Sequence, residues 1–418
     1  MYTNKQVDGF QAMSRREWGK GLECFKEDLA EQGNNVVSLR SMATCTAEMN
    51  ESEEAYATIN FCTQLYPYDA DSWMIKGSVA SQLSDVQGAL DFTNKSLELA
   101  PDAPNSLWNK SMFLMKLGYW KEGWALYDWG FVFGHRRGRT LLPMLEKGTP
   151  IKDGETVLIW GEQGAGDIIM FLRYVEDFKN RYPNCKLLLE IRWDLIPLLT
   201  DYPHATVFCR QDNGSMPYAF DHHISMASLP NYLDMPIPEP RYGYLPKDTR
   251  LTEYVKQHIP FSNEKPRVAL AWRGSPGHSN DANRSMTYEL MQELITDDAQ
   301  FITLQVGEEI KDDRVLNLNG DINSWAVTAA VLEEIDLVVC VDTSIAHLAG
   351  ALGKKVLILH PKCMEWRWSG TWYPDVTHIA QTIRRDWTSI IKDAKEWLKI
   401  TLPGLTRATS KQGSPTQG

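Results

Sequence analysis

The sequence predicts an array of paired α-helices followed by two α/β halves, each built on a parallel sheet. Three observations predict it. Small and bulky residues recur in columns 34 residues apart through the first third of the chain. From Thr156 onward, short runs of valine, leucine and isoleucine alternate with stretches of helical periodicity. Loops rich in glycine, aspartate, serine and threonine stand between those runs and the helices after them. An apolar run, a helix and a second apolar run make a βαβ unit, and such units build parallel sheets.

The repeat comes first in the chain. Gly21, Ala55, Ala89 and Gly123 form one column, and Gly9, Ala43, Gly77 and Ser111 another. Phe25, Ile59, Thr93 and Tyr127 form a third. Small residues let paired helices approach, the bulky column fills the space between pairs, and Pro67 and Pro101 stop successive units. This is the tetratricopeptide pattern, a helix-turn-helix at a 34-residue period. The clearest unit runs from Ala70 to Pro101 with Trp73, Gly77 and Ala89. Residues 1–135 are therefore expected to form about four stacked pairs. Two roles suit such a stack: a concave face for a partner or peptide, or a packing and homo-oligomerisation module.

His135 to Pro150 is a basic connector in which Arg136, Arg137 and Arg139 form a small patch. The first α/β half is expected over residues 136–250. Thr156 to Trp160 is its first strand, Gly161 to Asp167 a glycine loop, and Ile168 to Phe178 a helix. Gly164 and Gly166 let the backbone approach a ligand closely. Lys186–Ile191, Thr206–Phe208 and Phe220–Ile224 read as further strands, and Pro246 to Pro266 as a polar linker.

The second half is expected over 251–400. Val268–Trp272 is a strand, Arg273 to Ser285 its loop, Thr287–Ile295 a helix and Phe301–Gln305 a strand, with Glu308 in the next loop. Ser324–Glu334 is helical. Asp336 to Leu359 then reads as strand, loop, helix and strand, with Ile345, Leu348, Ala349 and Leu352 at helical spacing and Gly353 as terminator. Asp386 to Leu398 is a closing amphipathic helix, and 401–418 an expected disordered tail.

The chemistry is expected where strands end. Loops leaving the carboxyl edge of a parallel sheet are where open α/β folds bind ligands. Asp342, Thr343, Ser344 and His347 stand at a strand-to-helix junction, where unpaired backbone N–H groups and the helix dipole suit a pyrophosphate. The same residues also suit an ordinary capped core helix with His347 on the surface. Arg284 is the preferred diphosphate partner, because a guanidinium pairs bidentately with phosphate. Its other reading is a surface arginine tied to Asp281. Glu308 stands where a carboxylate accepts ribose hydroxyls, or else is a solvated loop charge. Asp167 is either a helix cap or a general base.

Composition narrows the classes. The chain has 418 residues, enough for two or three domains, with 43% hydrophobic and 23% charged residues, as in soluble globular proteins. A net charge of −11 argues against a mainly electrostatic grip on nucleic acid or anionic membrane. Seven scattered cysteines without a C-x-x-C pair exclude a thiol-rich zinc module and suit a reducing cytosol, so a cytoplasmic location is expected. No membrane span and no secretory leader are expected.

The block VDTSIAHLAGALGKKVLIL, followed by HPKCMEWRW and WYPD, resembles the donor-binding segment of heptosyltransferase-like (family 9-like) glycosyltransferases. GYWKEGWALYDW, GEQGAGDIIMFLRY, HISMASLP and AWRGSPGHSNDANRS precede it in order, so the chain is closer still to bacterial proteins joining tetratricopeptide repeats to such a domain. The architecture is more distantly similar to O-GlcNAc transferases. The resemblance implies a GT-B fold, two Rossmann-like halves facing across a cleft. It implies transfer of a sugar from a nucleotide sugar, as co-substrate, with no metal or other cofactor and usually with inversion. By position, Asp167 is then the candidate base, and Asp342, Thr343, Ser344 and His347 the donor-site D-T-x-x-x-H pattern. Arg284 stands in for a lysine near the diphosphate, and Glu308 for an acidic residue near the ribose. The glycine loop reads GAGD where the family more often has G-L-G-D. The acceptor stays open between a protein, a surface glycan and, disfavoured by charge, a modified DNA base. The alternative is a repeat scaffold with a catalytically silent domain; an epimerase, which needs no macromolecular acceptor, fits the repeats less well.

Overall fold

The computed structural model describes residues 2–138, 143–211, 216–278, 280–308 and 310–405. The chain divides into two compact units, one of residues 1–138 with 365–370 and one of the remainder.

The first unit is a tetratricopeptide-type stack of four helix pairs. The pairs are Asn4–Ser14 with Trp18–Gln32, Val36–Glu48 with Ser52–Leu65, Ala70–Gln82 with Val86–Leu99, and Pro104–Lys116 with Trp120–Tyr127. The columns do what their sizes require. Phe25, Ala43, Ala55, Ile59, Ala89 and Thr93 are all fully buried. A β-carbon on Gly9 would lie 2.6 Å from the Phe25 ring, so the small column receives the bulky one. Asn35, Asp69 and Asp85 cap the helices after them by accepting backbone N–H groups. Pro67 and Pro101 lie just past the second helices, where the chain turns. Buried Asp28 accepts from Thr3, Gln6, Asn35 and Ser38, which together tie the first three helices. Burial pushes its carboxyl up, but these four donors outweigh burial and hold it below the usual range.

Two expectations about this unit's edge are corrected. Arg136 is not part of a surface patch. It is buried, bonded to Asp128 at 2.6 Å, with its guanidinium 3.9 Å from the Phe131 ring centre. Arg139 lies outside the described residues. The unit also takes in Glu365–Gly370, a segment the sequence reading left with the second half. Buried Trp366 packs edge-to-face on Trp120, Trp124 and Tyr127, and the Ser369 hydroxyl donates to the Met115 carbonyl at 2.8 Å.

The second unit holds two parallel sheets. The smaller contains β1 (Thr156–Trp160), β2 (Lys186–Ile191), β3 (Thr206–Cys209) and β4 (His222–Ser225), in the order β3-β2-β1-β4. The larger contains β5 (Arg267–Ala271), β6 (Gln300–Thr303), β7 (Val315–Asn317), β8 (Leu337–Val341), β9 (Lys355–His360) and β10 (Val376–Ala380). Its order is β10-β9-β8-β5-β6-β7, the doubly wound order of dinucleotide-binding folds. Every strand pair is parallel. The five residues of β8 are fully buried, as a central parallel strand covered on both faces must be. The order in which strands are added reverses between β1 and β4 in one sheet and between β5 and β8 in the other. Those switch points open a crevice at the carboxyl edge.

Several boundaries differ from the expected ones. The helix expected over Ile168–Phe178 is two, Ala165–Phe171 and Arg173–Arg181, joined at Leu172. The expected helix over Thr287–Ile295 is one α-turn, Tyr288–Met291, and one 3₁₀ turn, Gln292–Leu294. The expected linker contains a helix, Thr249–His258, capped by Asp248 and burying Val255 alone. The closing helix runs over Trp387–Thr401, and Leu402 packs into the core beyond it, so the chain is ordered past 401. Residues 406–418 of the expected tail lie outside the described residues. No helix among the described residues is long and apolar enough to cross a membrane.

Candidate active site

The helix Ser344–Ala351 leaves β8 at the switch point of the larger sheet. Thr343 takes its N-cap position in extended conformation (φ −149°, ψ 166°), yet its side chain makes no capping hydrogen bond. Asp342 sits one residue earlier and is buried. The part of the ordinary reading that has Thr343 cap the helix with its side chain therefore does not hold. The first-turn N–H groups carry partial positive charge that the Thr343 side chain does not take up.

The glycine loop comes to the same point from the smaller sheet. It follows β1 and opens the helix Ala165–Phe171. The Gly166 N–H donates to the Ser344 hydroxyl at 3.1 Å, across 178 residues of sequence. A β-carbon on Gly166 would lie 2.9 Å from His347 Cδ2 and 3.1 Å from Ser344 Cα. Only glycine lets the two helix starts meet. Half-buried Asp167 accepts the Gly164 N–H at 3.1 Å, which closes the first turn of its helix. The N-cap is Gly164, so Asp167 is not the N-cap that one reading made it but a third-position carboxylate that bonds back to the cap.

The other expected residues gather at the β5 end. Arg284 donates to the Asp342 carbonyl at 3.2 Å and lies 3.5 Å from Asp281, with its side chain 12% exposed. It is thus bound to the loop after β8 rather than lying on the surface. Half-buried Glu308 accepts the Trp272 indole N–H at 3.1 Å, with Arg273 at 3.8 Å. His347 is not a surface residue: it is 4% exposed, and its Nδ1 lies 3.1 Å from the Tyr373 hydroxyl. Arg284, Glu308, Asp342, Thr343, Ser344 and His347 therefore share one edge, and Gly164, Gly166 and Asp167 reach it from the other sheet.

Sequence reasoning missed residues that set this geometry. Arg173 is buried and joins the two halves, donating to the carbonyls of Met170, Glu239 and Trp372. The available signal was an arginine in an otherwise apolar helical run, IIMFLRYV. Glu162 accepts the Ser225 hydroxyl at 2.6 Å, joining the two loops at the smaller sheet's switch point. The Trp325 indole N–H donates to Asp194 at 3.1 Å, a second tie between the halves. Nothing in the local pattern marked either pair. No cluster of three or more His, Cys, Asp or Glu side chains that could hold a metal occurs among the described residues.

Two sheets with their switch points brought together frame the second unit, and residues 308–388 within it match the family model of glycosyltransferase family 9 (heptosyltransferase). That span contains Glu308, Asp342, Thr343, Ser344, His347 and Tyr373. The chain is similar to Protein FlbA of Caulobacter vibrioides, 22% identical over 416 residues, covering 82% of this chain and 69% of that one. Among solved structures it is similar to the E. coli ADP-heptose lps heptosyltransferase II, with 14% identity, 60% of this chain and 99% of that chain covered, and a TM-score of 0.45. It is also similar to a thermophilic TPR protein of Thermus thermophilus, with 13% identity, 32% of this chain and 74% of that chain covered, and a TM-score of 0.30.

Proposed function

We propose that the chain transfers a sugar from a nucleotide-sugar donor to an acceptor hydroxyl, with inversion and with no metal ion required. The observation that carries this reading is the meeting of the helix start after β8, which the Thr343 side chain does not cap, with a carboxylate loop, at Ser344 and Gly166. Inverting transfer needs a base at the acceptor hydroxyl and positive charge at the departing diphosphate. Asp167 serves as the base. The N–H groups at Ser344 and the Arg284 guanidinium take up the charge of the leaving group, the work a cation does elsewhere. Glu308 accepts ribose hydroxyls, and His347 contributes a donor from the first turn. The tetratricopeptide unit holds the acceptor, a protein or a surface glycan, or a partner that delivers it. Burial of Arg136 removes part of the basic patch that a modified DNA base would need.

The test is a panel of nucleotide sugars offered to the purified chain, reading release of nucleoside diphosphate with and without a cell-surface glycan or protein extract. Acceptor-dependent release is expected. Nucleotide binding with no release under any condition favours the scaffold with a silent domain instead.

A further inference from the structure

We propose that Gly274 is a positioning residue for the donor diphosphate: its bare backbone is the floor on which the Arg284 guanidinium lies, and a side chain there moves that charge off its place. The proposal rests on the donor-site reading above and adds the residue that fixes where the charge stands.

The loop that carries Arg284 is closed at its base. The Met286 N–H donates to the Trp272 carbonyl at 2.9 Å, and the Gly274 N–H to the Ser285 hydroxyl at 3.0 Å. The short helix Asp281–Arg284 then brings Arg284 back over Gly274. A β-carbon on Gly274 would lie 2.4 Å from Nη2, 2.6 Å from Cζ and 2.8 Å from Nε of Arg284. Its three nearest neighbours are therefore one guanidinium. The φ of Gly274 lies outside the left-handed region, so the backbone does not itself demand glycine. Room for the arginine does.

Polar contacts hold this guanidinium loosely. Nη1 donates to the Asp342 carbonyl at 3.2 Å, the long end of the ordinary range. Nε lies 3.5 Å from Asp281 Oδ1 and is buried with no hydrogen-bond partner among the described residues. That carboxylate oxygen accepts the Ser285 hydroxyl instead, at 2.8 Å. A guanidinium has five N–H donors, so most of its capacity is left for an anion. Packing against Gly274 therefore sets the position of the group, and the Asp342 carbonyl sets its direction. Asp342 directly precedes the N-cap Thr343, so the charge is held beside the helix start at Ser344.

Non-bonded heavy atoms settle about 3.5–4.0 Å apart. A methyl group at 274 thus displaces the guanidinium by about 1 Å, enough to break a bond already 3.2 Å long. The atoms displaced are the end of a flexible side chain. The loop keeps the backbone bond that closes it, and the change falls on the position of the charge rather than on the fold.

Calorimetry with ADP, CDP, GDP, TDP and UDP on the full chain tests this, using Gly274→Ala, Arg284→Ala and the double variant. Gly274→Ala is expected to keep the wild-type urea midpoint and to weaken the bound nucleotide by about tenfold or more, the scale of a charge-assisted hydrogen bond. With Arg284→Ala in place the methyl meets no guanidinium, so the double variant is expected to bind as Arg284→Ala does. Wild-type affinity in Gly274→Ala, or two losses that add in full, overturns the positioning role and leaves the donor-site reading standing. An Arg284→Ala chain that binds like wild type removes Arg284 from the site and Gly274 with it. Failure of all five nucleotides to bind the wild type removes the donor-site reading itself. The seat is also read without nucleotide, in ¹⁵N–¹H spectra of arginine-labelled chain. The buried Arg284 Nε–H, assigned by its loss in Arg284→Ala, is expected to be shielded from water in the wild type and to exchange freely in Gly274→Ala. A signal unmoved by Gly274→Ala overturns the proposal whatever the nucleotides do.

Discussion

On the proposed function, Asp167 carries two duties that a substitution can separate. Its carboxylate accepts the Gly164 N–H, and it stands at the junction where a base is needed. Asn keeps an acceptor for that N–H but cannot take a proton. Asp167→Asn is therefore expected to lower kcat by about 10²–10⁴-fold, the ordinary worth of a general base. Nucleotide affinity should stay within about twofold of wild type, since the cap is conserved. A variant that turns over at the wild-type rate assigns the base elsewhere. A second residue-scale prediction concerns pH. His360, fully buried at the end of β9 and 2.8 Å from His378 Nδ1, has its pKa pushed down to about 3 by burial and by His378. Unfolded, the same group takes a proton near its ordinary 6.5. Between those values the unfolded state binds more protons, so stability is full above the upper value and falls as pH drops through the window. Urea unfolding at about pH 7.5 and about pH 5 should show this loss, and His360→Asn should shrink it. An equal loss in the variant places the acid sensitivity on other groups.

At the scale of elements, the helix starts at Ala165 and Ser344 meet only because position 166 has no side chain. Gly166→Val forces the two helices apart. Overpacking of this kind costs about 1–3 kcal/mol. The expected outcome is a lower urea midpoint together with loss of nucleotide binding, read by melts and calorimetry on the same sample. Retained binding at wild-type affinity dissociates the junction from the donor site. How legible each element was follows from where it lies in the sheets. β8 and β9 were plain in the sequence because central parallel strands are buried on both faces and read as unbroken apolar runs. β7 and β10 lie at the two edges, are partly exposed, and carry no such run. The helix Thr249–His258 buries a single residue, so its pattern is polar and flanking prolines made it resemble a linker. Its cap at Asp248 and the basic residues of its last turn were the signals passed over.

At the scale of the molecule, the helical unit is not one continuous stretch of chain. Residues 365–370 complete it, with Trp366 closing an aromatic cluster of Trp120, Trp124 and Tyr127. A large buried aromatic removed to alanine costs about 3–5 kcal/mol. Trp366→Ala is therefore expected to speed hydrogen exchange in the helices Pro104–Lys116 and Trp120–Tyr127 more than in Asn4–Ser14. Uniform exchange along the stack would show that the cluster is closed without Trp366. A fragment ending at 138 should likewise show red-shifted tryptophan emission, because it lacks the ring that covers Trp124.

What the sequence by itself determined is what local pattern encodes. The 34-residue columns specify the paired helices, the valine-rich runs specify buried parallel strands, and glycine, aspartate, serine and threonine mark the loops that leave them. Those signals are carried by residues a turn or a strand apart, so they survive without knowledge of the chain's path. Placement of Gly164, Gly166, Asp167, Asp342, Thr343 and Ser344 in strand-to-helix loops follows from the same patterns. Only the tertiary structure decided which loops meet. It brought Gly166 to Ser344, laid Arg284 on the Asp342 carbonyl, buried Arg136 against Asp128, and set Arg173 over the ring of Tyr373, whose hydroxyl lies 3.1 Å from His347. It also placed Thr343 at the N-cap without a side-chain cap and buried Asp342 beside it. Each of these depends on side-chain volume and hydrogen-bond geometry, between segments up to 178 residues apart in the case of Gly166 and Ser344. Periodicity has no means of recording such a contact.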